Sequence, residues 1–306
     1  MTEPLSQIAL KIDVSSYLGT RVGVPRLIEI LKRLEADASF FFTFGPDYSG
    51  RSIKKLLHAS FLKHFFRTSP LRALNLRTLL SGTLLPAPQI SRRCAEQMRM
   101  TRDHGFEVGI NSWDYYFWRE CIAEASNKRT ESEMLKAIAA FEKVFGCAPK
   151  VHAAAAWQMN RHALRLTQRY GFDYASDGRG TRPFLPLWDA EPVACIQLPT
   201  TLPTLDELIG LNGITLQNII GHLLLYTAEP PDNGHVYTLR AEIEGMKMAE
   251  AFEKLLWGWK DQGYQLVSLR TMSNSINKAN LPRCDVYMGN FQGCSNTLLV
   301  QGNAFA

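Results

Sequence analysis

Asp13, Asn111, Asp177 and Arg240 each stand at or just beyond the end of a short apolar run. A carboxylate such as Asp13 or Asp177 can serve as a general base. Arg240 cannot serve as an acid near neutral pH, because a guanidinium holds its proton to a pKa above ~12. It can instead pair with a carboxylate or grip a ligand phosphate through a fork of hydrogen bonds. No G-x-S-x-G turn and no Cys/His arrangement supplies a nucleophile. If the apolar runs are parallel strands of one barrel, their carboxyl ends share a face, and the four polar residues converge on one pocket. That convergence predicts a site and leaves the reaction open.

The elements that would position these residues alternate along the chain. Apolar runs at 8–14, 39–44, 106–111, 150–154, 172–175, 193–198, 235–239 and 265–267 read as strands. Helical periodicity predicts helices over 24–35, 91–102, 131–144, 161–170 and 245–262. Pro25 suits a first helical turn, Thr130 with Glu133 reads as a capping box, and Gly146 as a stop. Repeated βα units predict an α/β protein, one irregular (β/α) barrel with fewer than eight repeats over residues 1–281. Residues 282–306, polar and rich in Gly and Asn, are expected to form an irregular tail packed on that barrel.

With 306 residues and 46% hydrophobic content the chain can bury a sizeable core. The net charge of +5 is unevenly placed: residues 48–95 carry nine Lys/Arg and no Asp/Glu, which leaves the remainder acidic. Such a block predicts an anionic partner, a membrane surface or a phosphate, and no nucleic-acid motif accompanies it. Six scattered cysteines without a C-x-x-C pair, and a start without a secretory pattern, predict a cytoplasmic protein with free thiols. No stretch approaches the ~20 apolar residues that span a bilayer.

Two segments carry a family resemblance. Val108-Gly109-Ile110-Asn111-Ser112-Trp113-Asp114-Tyr115-Tyr116 resembles the His-x-x-x-His strand end of NodB-type polysaccharide deacetylases, with Asn111 and Tyr115 in the histidine positions. Asp13-Val14-Ser15 resembles that family's Asp-x-Asp, with Ser15 in place of the second carboxylate. A closer match covers nearly the whole chain. Lys11-Ile12-Asp13-Val14, Gly19-Thr20-Arg21-Val22-Gly23-Val24-Pro25-Arg26, Gly45-Pro46-Asp47 and Asp177-Gly178-Arg179-Gly180 resemble the 4-deoxy-4-formamido-L-arabinose-phosphoundecaprenol deformylases (ArnD). So do Gln197-Leu198-Pro199-Thr200-Thr201-Leu202-Pro203-Thr204, Asp206-Glu207 and Tyr237-Thr238-Leu239-Arg240-Ala241-Glu242-Ile243-Glu244-Gly245.

The resemblance implies an irregular (β/α)7-type barrel of the NodB kind, at the cytoplasmic face of the inner membrane. It implies removal of a formyl group from an arabinose carried on undecaprenyl phosphate, for the modification of lipid A. It further implies a divalent metal held by Asp and two His, an Asp base and a His acid. Carried over residue by residue, Asp13 matches the base and Asp177 is kept. Ser15, Asn111 and Tyr115 occupy the metal-ligand positions, and all three are neutral and poor ligands for zinc. Gln158 replaces the Arg that positions the base, and Arg240 replaces the catalytic His. No cofactor is therefore expected here. Arg240 is expected to pair with Asp13 or Asp177 in the cation's stead, the alternative being a ligand phosphate or carboxylate. Asp114 could approach the pocket, and His152, Cys195 and His235 are the remaining candidate ligands, each with a core reading as well.

Within the basic block, apolar and cationic residues interleave at helical spacing. One reading is a helix pair with a solvated basic face. The preferred reading is a pair of interfacial helices with Phe61, Leu62, Phe65, Phe66 and Leu71 as an apolar wedge, and Lys54, Lys55, Lys63, Arg67, Arg72 and Arg77 as contacts to anionic headgroups. The expected function is that of a catalytically impaired ArnD-like protein that binds a lipid-linked sugar peripherally at the membrane, as a carrier, a regulator or a partner of an active paralogue. The alternative is an active deformylase or deacetylase with a non-standard site.

Overall fold

The structure, a computed structural model, describes residues 6–51, 67–71, 81–294 and 296–305. Its centre is β1 (Gln7–Val14), paired along both edges and buried almost throughout. That double burial explains why β1 reads as a near-continuous apolar run. By alternation Ile8, Leu10, Ile12 and Val14 face the surrounding helices, while Ala9, Lys11 and Asp13 face the barrel interior. A π-helical turn, Gly19–Gly23, leads into α1 (Val24–Arg33), which starts with the expected proline. Then follow β2 (Ser39–Thr43), α2 (Ala95–Asp103), β3 (Glu107–Ser112), α3 (Tyr115–Cys121) and α4 (Asn127–Phe145). β4 (Val151–His152), α5 (Arg161–Arg169) and β5 (Tyr174–Ala175) continue the alternation. β6 (Leu185–Trp188) and β7 (Glu191–Pro192) interrupt it before β8 (Ile196–Gln197), α6 (Leu205–Leu208) and α7 (Ile219–Tyr226). β9 (His235–Arg240), α8 (Ala249–Asp261), β10 (Gln265–Val267) and α9 (Leu269–Ser275) precede a last pair, β11 (Arg283–Gly289) and β12 (Leu298–Phe305).

The main sheet is wholly parallel, in the order β10-β1-β2-β3-β4-β5-β8, with β9 on the other edge of β1. β10 pairs only with Gln7, Ile8 and Ala9, and β2 takes over the same edge from Lys11 onward. The sheet is thus a curled, irregular barrel of seven principal strands with an eighth short strand at its amino-terminal end. Thr201 and Leu202 donate backbone N–H groups to the Val236 carbonyl and bring the β8 side round to β9. Helices lie outside, over the large apolar layer built on Phe40, Phe42, Leu27 and Trp259, and a smaller cluster around Ala9, Phe41 and Val236 fills the barrel. The expected α/β fold class is the one found.

Some local expectations need correction. The helix expected from Thr130 starts a turn earlier: Ser126 is its cap, accepting the Arg129 N–H, while the Thr130 hydroxyl accepts from Asn160. The tail read as irregular forms an antiparallel hairpin, β11–β12, that adds to β6 and β7 as a second, four-stranded sheet. Its Gly and Asn content hid strands stabilised by pairing with distant β6 rather than by local pattern. The predicted helix at 91–102 breaks at Cys94, where the backbone leaves helical geometry.

Candidate functional site

Asp13 and Arg240 are direct register partners at the carboxyl ends of β1 and β9. Their side chains nevertheless do not form the expected pair. Arg240 Nη1 lies 2.7 Å from Asp206 Oδ2, at the first turn of α6. Burial opposes the Arg240 charge, but Asp206, with Asp13 and Glu244, holds the guanidinium protonated. Asp13 faces Lys11 instead, with Lys11 Nζ 3.7 Å from its Oδ1. That distance is an ion pair without a hydrogen bond, and Oδ1 stays buried without a donor. Burial pushes the Asp13 carboxyl above its ordinary range, against the pull of Lys11 and Arg240.

Lys11 is fully buried, donates to the Ser176 carbonyl at 3.1 Å and lies 5.5 Å over the Trp157 ring. Burial lowers its ammonium pKa, and Asp13 and Asp177 resist that shift. The sequence carried a signal for it: a lysine two residues before Asp13 in an otherwise apolar strand must share Asp13's face. Four more functional neighbours went unassigned from sequence. Arg179, 1% exposed, pairs with Glu207 at 3.2 Å; Glu242 and Glu244 organise the turns after β1 and β9.

The retained Asp177 is a structural clasp. Its Oδ1 accepts from His152 Nδ1 at 2.7 Å and from the Ala154 N–H at 2.9 Å, and its Oδ2 from Gln197 Nε2 at 3.1 Å. The expected pairing of Arg240 with Asp177 is thus replaced by a tie across β4, β5 and β8. His152 lies on the outer face against Trp118 and Phe172. Asp114 caps α3 by accepting the Phe117 N–H at 2.9 Å. Its short side chain is engaged by the helix end rather than offered to a ligand.

The three ligand positions do not fit a divalent metal. Asn111 is wholly buried, and its amide is committed: Oδ1 accepts from the Thr43 hydroxyl at 3.3 Å and Nδ2 donates to the Ala153 carbonyl at 3.1 Å. Ser15 gives its N–H to Glu242 Oε1 at 2.9 Å, which Ser16 also binds through N and Oγ. Tyr115 opens α3 and offers a phenol where the family has an imidazole. Lys11 and Arg240 flank Asp13 with two positive charges, so an added dication there meets repulsion. Among the described residues no three His, Cys, Asp or Glu side chains are grouped to hold a metal ion. His152 is taken by Asp177, the Cys195 thiol points to the Phe172 carbonyl, and His235 begins β9 at the opposite end from Arg240.

What remains at the strand ends is a cavity of about 60 Å³ among Tyr115, Trp157, Gln158, Asp206, Arg240 and Cys294. Ala156 and Trp157 reach it with φ of 53° and 54°, a left-handed backbone that costs free energy in non-glycine residues. Gln158 Nε2 donates to the Thr297 carbonyl, so the residue in the base-positioning place is turned toward the hairpin. Cys294 donates its thiol to Glu207 Oε1 at 3.4 Å. A wider surface groove of about 940 Å³ runs between residues 231–233 and the β11–β12 hairpin, and none of the expected site residues lines it.

Of the basic block, Lys54, Lys55, Phe61, Leu62, Lys63, Phe65, Phe66, Arg72 and Arg77 lie outside the described residues. Arg67 and Leu71 are described, and neither faces outward as expected. Arg67 donates to the backbone carbonyls of Glu207, Ile209 and Gly293, and Leu71 is fully buried in the core. Unsatisfied loop carbonyls are stronger partners for a guanidinium than solvent, which accounts for the inward turn.

Residues 3–175 match the family model described as polysaccharide deacetylase. A probable 4-deoxy-4-formamido-L-arabinose-phosphoundecaprenol deformylase ArnD of Shewanella sediminis (strain HAW-EB3) is 36% identical over 265 residues, 87% of this chain and 85% of that protein. Among solved structures, a polysaccharide deacetylase of Mycobacterium smegmatis aligns with a TM-score of 0.61 at 16% identity, over 92% of this chain and 94% of the other. One from Pseudomonas aeruginosa PAO1 aligns with a TM-score of 0.60 at 14% identity, over 88% and 90%. These two show a shared fold, while the identity to the Shewanella protein places the chain more narrowly. The chain belongs to the polysaccharide deacetylase family, on its ArnD branch.

Proposed function

We propose that this chain is an ArnD-like protein that binds a lipid-linked sugar at the carboxyl ends of the barrel strands and is impaired in the metal-dependent hydrolysis of its N-acyl group. The relatives named as deformylases of an arabinose on phosphoundecaprenol supply the ligand class. One observation carries the impairment: Asn111, where a metal-binding histidine would stand, is buried with both amide ends spent on Thr43 and Ala153. Arg240 reinforces it, since a guanidinium held protonated by Asp206 cannot give a proton to a leaving amine. The protein then works at the inner face of the membrane as a carrier, a regulator or a partner of an active paralogue.

A second reading, an active deformylase with a non-standard site, draws on Asp13. Its buried Oδ1 has no hydrogen-bond donor and its pKa is raised by burial, the state of a carboxylate able to take a proton from water. Three measurements on the purified protein separate the readings: metal content, binding of the formamido-arabinose carried on undecaprenyl phosphate, and formate release. Binding without stoichiometric metal and without formate is the expected outcome. Formate release that persists in chelator supports the second reading, and release that follows a stoichiometric metal sinks the first.

A further inference from the structure

The cavity at the strand ends is too small for the ligand class just proposed. At about 60 Å³ it is a fraction of the ~300 Å³ at which ligand pockets begin. One wall is the turn between β11 and β12, which supplies Gly293 and Cys294 directly, with Asn296 and Leu298 at its far end. The stem of that hairpin is firmly attached. Arg179 N–H donates to the Leu299 carbonyl and Gln301 N–H to the Arg179 carbonyl, each at 2.8 Å. The described residues of the turn make side-chain contacts to residues around the cavity.

Gln158 Nε2 donates to the Thr297 carbonyl, and the Cys294 thiol to Glu207 Oε1. Phe291 lies under the Arg179 guanidinium at 4.3 Å. Gly293 has φ +85° and packs so closely that a Cβ there would come 2.4 Å from the Glu207 carbonyl oxygen. Arg67 joins the two sides. One arm of its guanidinium donates to the Gly293 carbonyl at 2.7 Å, and the other to the Glu207 and Ile209 carbonyls at the end of α6.

We propose that the described residues of the β11–β12 turn form a lid over the cavity, hinged on the fixed hairpin stem and latched by Arg67 to the α6 end. Opening breaks polar contacts at Gln158, Glu207 and Arg67 while the stem bonds stay intact. It frees the Gln158 amide to face whatever enters, while Glu207 keeps its Arg179 and Thr204 partners. Arg67 is one of the block's cations, so an anion that reaches its guanidinium competes with the Gly293 carbonyl and loosens the latch. This reading rests on the cavity being the ligand site, but its test needs neither ligand nor metal.

Cys294 is the reporter, since it is half-buried only while the turn is closed, and Cys195, 3% exposed beside β8, reports global unfolding. In a background with the exposed Cys121 and Cys147 replaced by serine, a maleimide reagent is added and each thiol is followed by mass spectrometry. Cys294 is expected to react slowly in the parent. Arg67→Ala should raise its rate about tenfold, the loss of one charge-assisted contact, with Cys195 unchanged. Gln158→Ala should raise it less, and serves as the second variant if Arg67→Ala loosens the whole fold. Equal Cys294 rates in the parent and both variants, or Cys294 and Cys195 always reacting together, would overturn the proposal.

Discussion

At the scale of single residues, the site is a set of carboxylates and cations that neutralise one another in a dry interior. Glu244 is the most exposed to pH. Its Oε2 accepts the Arg240 N–H at 2.9 Å and its Oε1 the Tyr237 hydroxyl at 3.2 Å, and burial pushes its pKa up to about 8. An acid raised in the folded state favours folding at low pH, where both states hold the proton. The unfolded chain releases that proton from the ordinary carboxylate range upward, while the folded chain keeps it to about 8. Stability from this group is thus complete below the ordinary range and is lost as pH rises through 8. Glu244→Gln keeps an acceptor for the Arg240 N–H and removes the ionisation. The variant should gain at least about 1 kcal/mol over the parent at pH 9 and nothing at pH 4. Denaturant melts across that range check it, and a constant difference between the two proteins contradicts the assignment.

At the scale of elements, the strand ends are aligned by backbone touching backbone. A Cβ on Gly23 would lie 2.2 Å from the Ala241 carbonyl oxygen, so the π-helical entry to α1 rests directly on the turn after β9. Gly23→Ala should cost about 2–3 kcal/mol, because backbone, unlike a flexible side chain, cannot give way cheaply. A thermal melt reads the loss, and an unchanged midpoint would mean that the two segments are not in contact. Gly23 and Ala241 lie within two of the segments that carried the family resemblance, and their contact gives a physical reason for such loops to keep their sequence. Legibility followed the same division. Elements set by local rules could be read: the period of α5 and α8, Pro25 in α1, and the apolar run of β1. The register that puts Asp13 beside Arg240 was implied by strand order. The partner that Arg240 takes was not, because Asp206 arrives from a loop whose path depends on α6 packing. Nor was the β11–β12 hairpin, whose strands are fixed by β6 about a hundred residues earlier.

At the scale of the whole molecule, charge is segregated along the sequence. The basic block leaves from the carboxyl end of β2, the end that also bears Asp13, Arg240 and the cavity. Its base is pinched shut: Asp47 N–H donates to the Pro88 carbonyl at 2.9 Å and Gly50 N–H to the Ser81 carbonyl at 3.0 Å. Asp47 Oδ2 also takes the Tyr17 N–H at 2.8 Å, tying that base to the segment after β1. The described ends of a block with nine cations and no acid are thus held beside the site, on a chain whose remainder is net acidic. If this end meets an anionic surface as proposed, each lysine near the headgroups adds about 1 kcal/mol. No helix among the described residues is long and apolar enough to cross a membrane. The protein should float with vesicles containing anionic lipid and not with zwitterionic ones. Binding should fall as salt rises from roughly 0.01 M to 1 M, over which the screening length shrinks from about 30 Å to about 3 Å. Reversing Lys54, Lys55 and Lys63 to glutamate should weaken it at least about a hundredfold, since three favourable contacts become three unfavourable ones. Cavity-side variants such as Gln158→Ala should leave flotation unchanged. Binding that ignores salt, or survives the triple reversal, would place the membrane contact elsewhere on the barrel.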